Sequence, residues 1–164
     1  MPAMRAAGFD ELLCMDDWEA IDFSLCDDRG NSILHHQAAM LNTKVVEWII
    51  PYFESVNIQN NDGEIPAIWL IYSDFLTDGY FASEAIKILR MLKKAGADLH
   101  IPDKDGKDFL YHLISRIQGE FRFTDRCILE KNFVRFIDLA KRIYYRRPIN
   151  EVFVYKRSKQ PIVS

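Results

Sequence analysis

The stretch Asp27-Asp28-Arg29-Gly30-Asn31-Ser32-Ile33-Leu34-His35 returns in altered form as Asn60-Asn61-Asp62-Gly63-Glu64-Ile65-Pro66-Ala67-Ile68, and again as Asp103-Lys104-Asp105-Gly106-Lys107-Asp108-Phe109-Leu110-Tyr111. Gly30 and Gly63 stand 33 residues apart. A unit recurring at such an interval predicts stacked supersecondary modules, each too small to bury its own apolar face. Each glycine follows polar residues and supplies the positive φ of a tight turn. Helices are expected to start just beyond. Ser32 and Asp108 can accept bonds from the free N–H groups of a first turn, and Pro66 suits a first helical position, where its missing donor is not needed.

Outward from the turns, LHHQAAMLNTKVVEWIIPYFESVN separates the first two glycines. Val45, Val46, Trp48, Ile49 and Ile50, then Ile86, Leu89 and Leu92, give broad apolar faces at helical spacing, and Gly96 stands where a helix ends. Ile88 to His100 reads ILRMLKKAGADLH. The order of turn, first helix, Val-Val second helix and closing Val-Asn, with this Gly-Ala-Asp further on, resembles the ankyrin repeat. The resemblance covers about Asp10 to Ile114 well and Ser115 to Arg142 loosely. It implies an all-α ankyrin repeat solenoid of about three helix-pair repeats with helical N- and C-terminal caps. The Thr-Pro-Leu-His motif of the family survives only in pieces, as Ser32 to His35, Ile65 to Ile68 and Asp108 to Tyr111. Gly63 and Gly106 are 43 residues apart, so an insertion is expected within Ser73 to Ala82.

The ends complete this organisation. Residues 1–26 read as an N-terminal helical cap, with Leu12, Leu13, Trp18 and Ile21 turned to the array. Residues 27–147 read as the repeats and a C-terminal capping helix of about Asp125 to Tyr144, with Thr124 at its start. Residues 148–164 read as a basic tail in which Glu151 to Lys156 either pairs as a strand or hangs free.

The chain has 164 residues, 49% hydrophobic and 27% charged, which fits one globular domain that needs no disulfide or metal staple. Cys14, Cys26 and Cys127 are odd in number and widely spaced, and read as reduced thiols. No secretory leader or membrane-spanning run is recognisable. The expected place is the cytoplasm, that of a host cell if the protein is delivered there. The formal charge of −3 does not by itself draw the chain to nucleic acid or membrane, but it is unevenly spread. Residues 1–30 balance to −6 and residues 141–164 to +6.

Little in the sequence points to catalysis. His35 and His36 are adjacent, and neighbouring helical positions diverge by about 100°. His35 occupies the family's Leu-His position, which implies bonds to the backbone of adjoining turns; His100 and His112 stand alone. Asp16-Asp17 and Asp27-Asp28 lack a cation-binding spacing. No nucleophile, phosphate-loop or metal motif occurs. The reading is therefore a non-enzymatic protein with no cofactor and no metal.

The resemblance implies a monomer that binds another protein through the concave face formed by the turn tips and first helices. Carried over by position, that face offers Asp28, Arg29, Asn31 and Met40, then Asn61, Asp62, Glu64, Tyr72 and Ser73, then Lys104, Lys107, Ser115 and Arg116. The insertion reads as a loop that adds Phe75, Tyr80 and Phe81, aromatics of the kind that anchor interfaces. Small free-standing ankyrin proteins resemble those that bacteria deliver into host cells, which is the preferred reading, and viral mimics of the NF-κB inhibitor, which is the alternative. A further alternative is anionic lipid or nucleic-acid binding by the basic C-terminal end.

Overall fold

The three glycine turns do fold as tight turns with left-handed glycines, at φ +77° for Gly30, +83° for Gly63 and +78° for Gly106. A computed structural model of the chain describes residues 22–123 and 131–146. A helix follows each turn. These are α1 (Ile33–Ala39), α3 (Pro66–Tyr72) and α5 (Phe109–Phe123), each succeeded by a second helix: α2 (Thr43–Ile49), α4 (Gly79–Lys94) and α6 (Lys131–Tyr145). Among the described residues the fold is all-α. Its only β feature is an isolated bridge between Cys26 and Ser32. No helix among them is long and apolar enough to cross a membrane.

The helix starts follow from local chemistry. Pro66 opens α3, with Ile65 as the residue before the helix. Asp78 caps α4 by accepting from Tyr80 N at 3.0 Å, and Asp108 accepts from Tyr111 N at 3.0 Å. Gly96, at φ +97°, ends the α4 segment.

First helices pack on first helices and second helices on second, α1 against α3 against α5 and α2 against α4 against α6. The result is two layers of three helices, with one apolar core running between them. Leu34, Val46, Ile49, Ile68, Leu70, Ile88, Leu89, Phe109, Phe133 and Phe136 are wholly buried in it. Burial of each such side chain contributes roughly 1.5–3 kcal/mol, so the layers hold each other rather than relying on helix propensity, which is weak for the seven-residue α1, α2 and α3.

Polar ties mark each junction. Thr43 of α2 donates to Glu84 of α4. Asn57 bridges to the following pair, donating to Gly96 O at 3.0 Å and accepting from Asp98 N at 2.9 Å. At the far end Tyr144 of α6 donates to Asp108, a bond that with partial burial pushes its phenol up to about 12, and His100 Nε2 lies 2.9 Å from Tyr144 O.

One expectation requires correction. The insertion is not simply a loop: Ser73 to Asp78 makes the connection, and the remaining residues lengthen α4 at its start, placing Tyr80 and Phe81 in its first turn. Leu76, fully buried, pins the connection to the core. The closing helix α6 is described from Lys131, so its expected start at Thr124 and Asp125 lies outside the described residues. The N-terminal cap up to Ile21 and the tail 148–164 lie outside them as well.

Candidate functional site

The three turn tips form a continuous ridge because each hydrogen-bonds the next. Asn61 N donates to Arg29 O at 2.8 Å, and Lys104 N donates to Asp62 O at 2.9 Å. The approach is close enough that a Cβ on Gly30 would stand 2.6 Å from Asn61 Oδ1, and one on Gly63 would stand 2.8 Å from Lys104 N. Glycine is therefore required there for space as well as for conformation.

Within each tip one side chain organises the turn. Asp27 Oδ1 accepts from Arg29 N at 2.9 Å and Asn31 N at 2.8 Å. Asp103 Oδ1 accepts from Asp105 N and Lys107 N, both at 2.9 Å. Asn60 does the same with Asp62 N at 3.0 Å and Glu64 N at 2.9 Å. The second oxygen of each aspartate takes an imidazole nine residues on: Asp27 Oδ2 lies 2.9 Å from His36 Nε2, and Asp103 Oδ2 lies 2.8 Å from His112 Nε2. Burial pushes both carboxyls up, but the donors from Asn31, His36 and Arg29, and from Lys107, His112 and Asp105, outweigh it and hold both below the usual range.

His35 is buried behind the first tip. Ser32 N donates to its Nδ1 at 3.1 Å, with Ser32 Oγ at 2.9 Å, and its Nε2 donates to Glu64 O at 3.0 Å. A backbone amide can only donate and a carbonyl can only accept, so the ring is held neutral with its hydrogen on Nε2. Burial, only partly offset by the Glu64 carbonyl, lowers its pKa.

A second network crosses from the middle pair to the last. Glu64 Oε2 accepts from Trp69 Nε1 at 2.9 Å and Asn60 Nδ2 at 3.0 Å, while Oε1 accepts from Tyr72 Oη at 2.5 Å. That hydroxyl also lies 3.2 Å from His112 Nδ1. His112, read from sequence as standing alone, is thus joined to Asp103, Tyr72 and, through Tyr72, Glu64. The motif was present in the sequence as an aspartate followed nine residues later by histidine at matching positions of the first and third repeats.

The predicted contact residues divide. Asp28, Arg29, Asn61, Asp62 and Lys104 are exposed along the tips; Met40, Tyr72 and Ser115 are exposed at or just after first helices. Glu64, Lys107 and Arg116 are half-buried. Asn31 and Ser73 do not belong to the accessible set. Asn31 is 1% exposed because its amide is spent on Asp27 Oδ2 at 2.9 Å and its oxygen accepts from Asn60 at 2.8 Å; Ser73 is 3% exposed beneath Arg116. Phe75 and Tyr80 are 53% and 70% exposed, while Phe81 rests half-buried on the core. These three lie beyond the end of α3 remote from the tips. The positional reading missed Tyr111 and Ile114, both exposed on α5, with Lys107 Nζ 5.4 Å from the Tyr111 ring.

The chain matches no family model and no curated protein.

Proposed function

We propose that the two-layered array is of the ankyrin type and acts as a non-enzymatic module that binds another protein through its concave side, made of the turn tips and first helices. The single observation that carries this reading is the tip ridge, in which the Asn61 and Lys104 amides donate to the Arg29 and Asp62 carbonyls and hold three turns side by side. Met40, Tyr72, Tyr111 and Ile114 lie exposed on or just after the first helices. Apolar and aromatic side chains standing out on a rigid frame lose little entropy on binding, and small contacts spread over several repeats add up. A partner of this surface is met by alternating charge at the tips, Asp28, Arg29, Asp62 and Lys104, rather than by a field of one sign, which favours a protein over a polyanion.

The reading is tested by affinity capture with the full chain against two altered forms that keep the native circular dichroism spectrum. One carries Met40→Ala, Asp62→Lys and Tyr111→Ala; the other carries Lys87→Glu and Lys94→Glu on the exposed side of α4. The partner should be lost from the first and kept by the second. Loss from the second alone would overturn the assignment.

A further inference from the structure

Glu64, Tyr72, Asp103 and His112 form one network that crosses between two helix pairs. Asp103 Oδ2 only accepts, so the hydrogen between it and His112, at 2.8 Å, sits on Nε2. Tyr72 has one hydroxyl hydrogen, and the 2.5 Å contact to Glu64 Oε1 against 3.2 Å to His112 Nδ1 places it toward Glu64. His112 Nδ1 therefore faces a hydroxyl oxygen whose hydrogen is turned toward Glu64. Neither Glu64 nor Asp103 has a lysine or arginine within ion-pair distance among the described residues. Donor atoms of Glu64, Asp103 and His112 lie within 4.8 Å of one another, half-buried.

We infer that this cluster binds one divalent transition cation of the zinc class. His112 Nδ1 and Glu64 Oε1 are its ligands, and Asp103 is the carboxylate that fixes the ring through Nε2–H, the usual arrangement behind a metal-bound histidine. Imidazole with carboxylate selects zinc-like ions over calcium or magnesium, which prefer oxygen alone. Ligand distances of about 2.0–2.2 Å are reached once the Tyr72 hydroxyl leaves the space between Glu64 Oε1 and His112 Nδ1, and solvent fills the remaining positions. Because Glu64 belongs to the second tip and His112 to α5, the ion would clamp two neighbouring pairs. Spacing in the sequence shows no such motif, since the ligands meet only across the stack. The Asp27–His36 pair supplies an internal comparison: its imidazole is held by Asp27 Oδ2 in the same way and lies edge-on to Trp69, with ring centres 5.4 Å apart. This inference does not depend on the partner-binding reading.

The test is calorimetric titration of the full chain with Zn²⁺ near neutral pH, beside His112→Ala, Glu64→Gln and His36→Ala. One equivalent should bind to the unaltered protein and to His36→Ala. Binding should be roughly tenfold or more weaker in His112→Ala and Glu64→Gln. Should either substitution unfold the chain, imidazole nitrogen resonances of the unaltered protein serve instead, and His112 Nδ1 should shift first as Zn²⁺ is added. Absence of binding, binding that both substitutions leave intact, or a first shift at His36 or His100 would overturn the proposal.

Discussion

His35 Nε2 donates to the backbone carbonyl of Glu64 at 3.0 Å, while its Nδ1 accepts from Ser32 N at 3.1 Å. One buried ring therefore closes its own helix start and ties it to the next turn. Replacement by alanine leaves an amide and a carbonyl without partners and opens a void, so His35→Ala should cost about 2–4 kcal/mol, read as a lowered midpoint in urea.

The same ring makes stability depend on pH. The unfolded ring takes a proton near its ordinary 6.5 and the folded ring only lower, so between those values the unfolded state holds more protons. Stability from His35 is whole above 6.5 and falls as pH drops below it. Asp27 and Asp103, with lowered pKa values, hold their contribution until pH reaches the carboxylate range and lose it as pH falls through their folded values. Denaturation midpoints measured across pH should show the two losses in sequence, and His35→Gln, though less stable, should flatten only the first.

Gly63 and Gly106 share a left-handed backbone but differ in surroundings. A Cβ at Gly63 meets Lys104 N at 2.8 Å, whereas one at Gly106 meets nothing within 4 Å. Gly106→Ala should cost about 1–2 kcal/mol for conformation alone. Gly63→Ala should cost clearly more, because it also parts the second tip from the third. Thermal melting of the two variants measures the difference.

The connection before α4 is held by one side chain. Leu76 is 0% exposed, so Leu76→Ala should cost about 2–5 kcal/mol, whereas Tyr80→Ser, at a position 70% exposed, should stay within about 0.5 kcal/mol. Chemical denaturation distinguishes them.

How far these features could be read in advance depended on how local their causes are. Gly30, Gly63, Gly106 and Gly96 declared their turns because a positive φ is a property of one residue, and Pro66 and Asp108 marked helix starts for the same reason. Asn31 and Ser73 were misplaced on the accessible face because position in a repeat does not reveal that an amide is already bonded to Asp27 and Asn60, or that Arg116 covers a serine. His112 looked solitary because its partners come from its own turn, nine residues back, and from Tyr72 and Glu64 of the preceding pair. The added residues after Ser73 read as a loop, although Asp78 before Gly79 is a sound cap and the residues beyond it continue a helix.

The claim that the tip ridge and first helices are the binding face is met most directly by placing a photoreactive phenylalanine analogue, singly, at Asn61, Tyr111 and Arg90 of the full chain and irradiating it in lysate. The account predicts one shared protein adduct from Asn61 and Tyr111, competed away by unlabelled protein, and none from Arg90 on α4. The same adduct formed from Arg90 and absent at Asn61 and Tyr111 would contradict it.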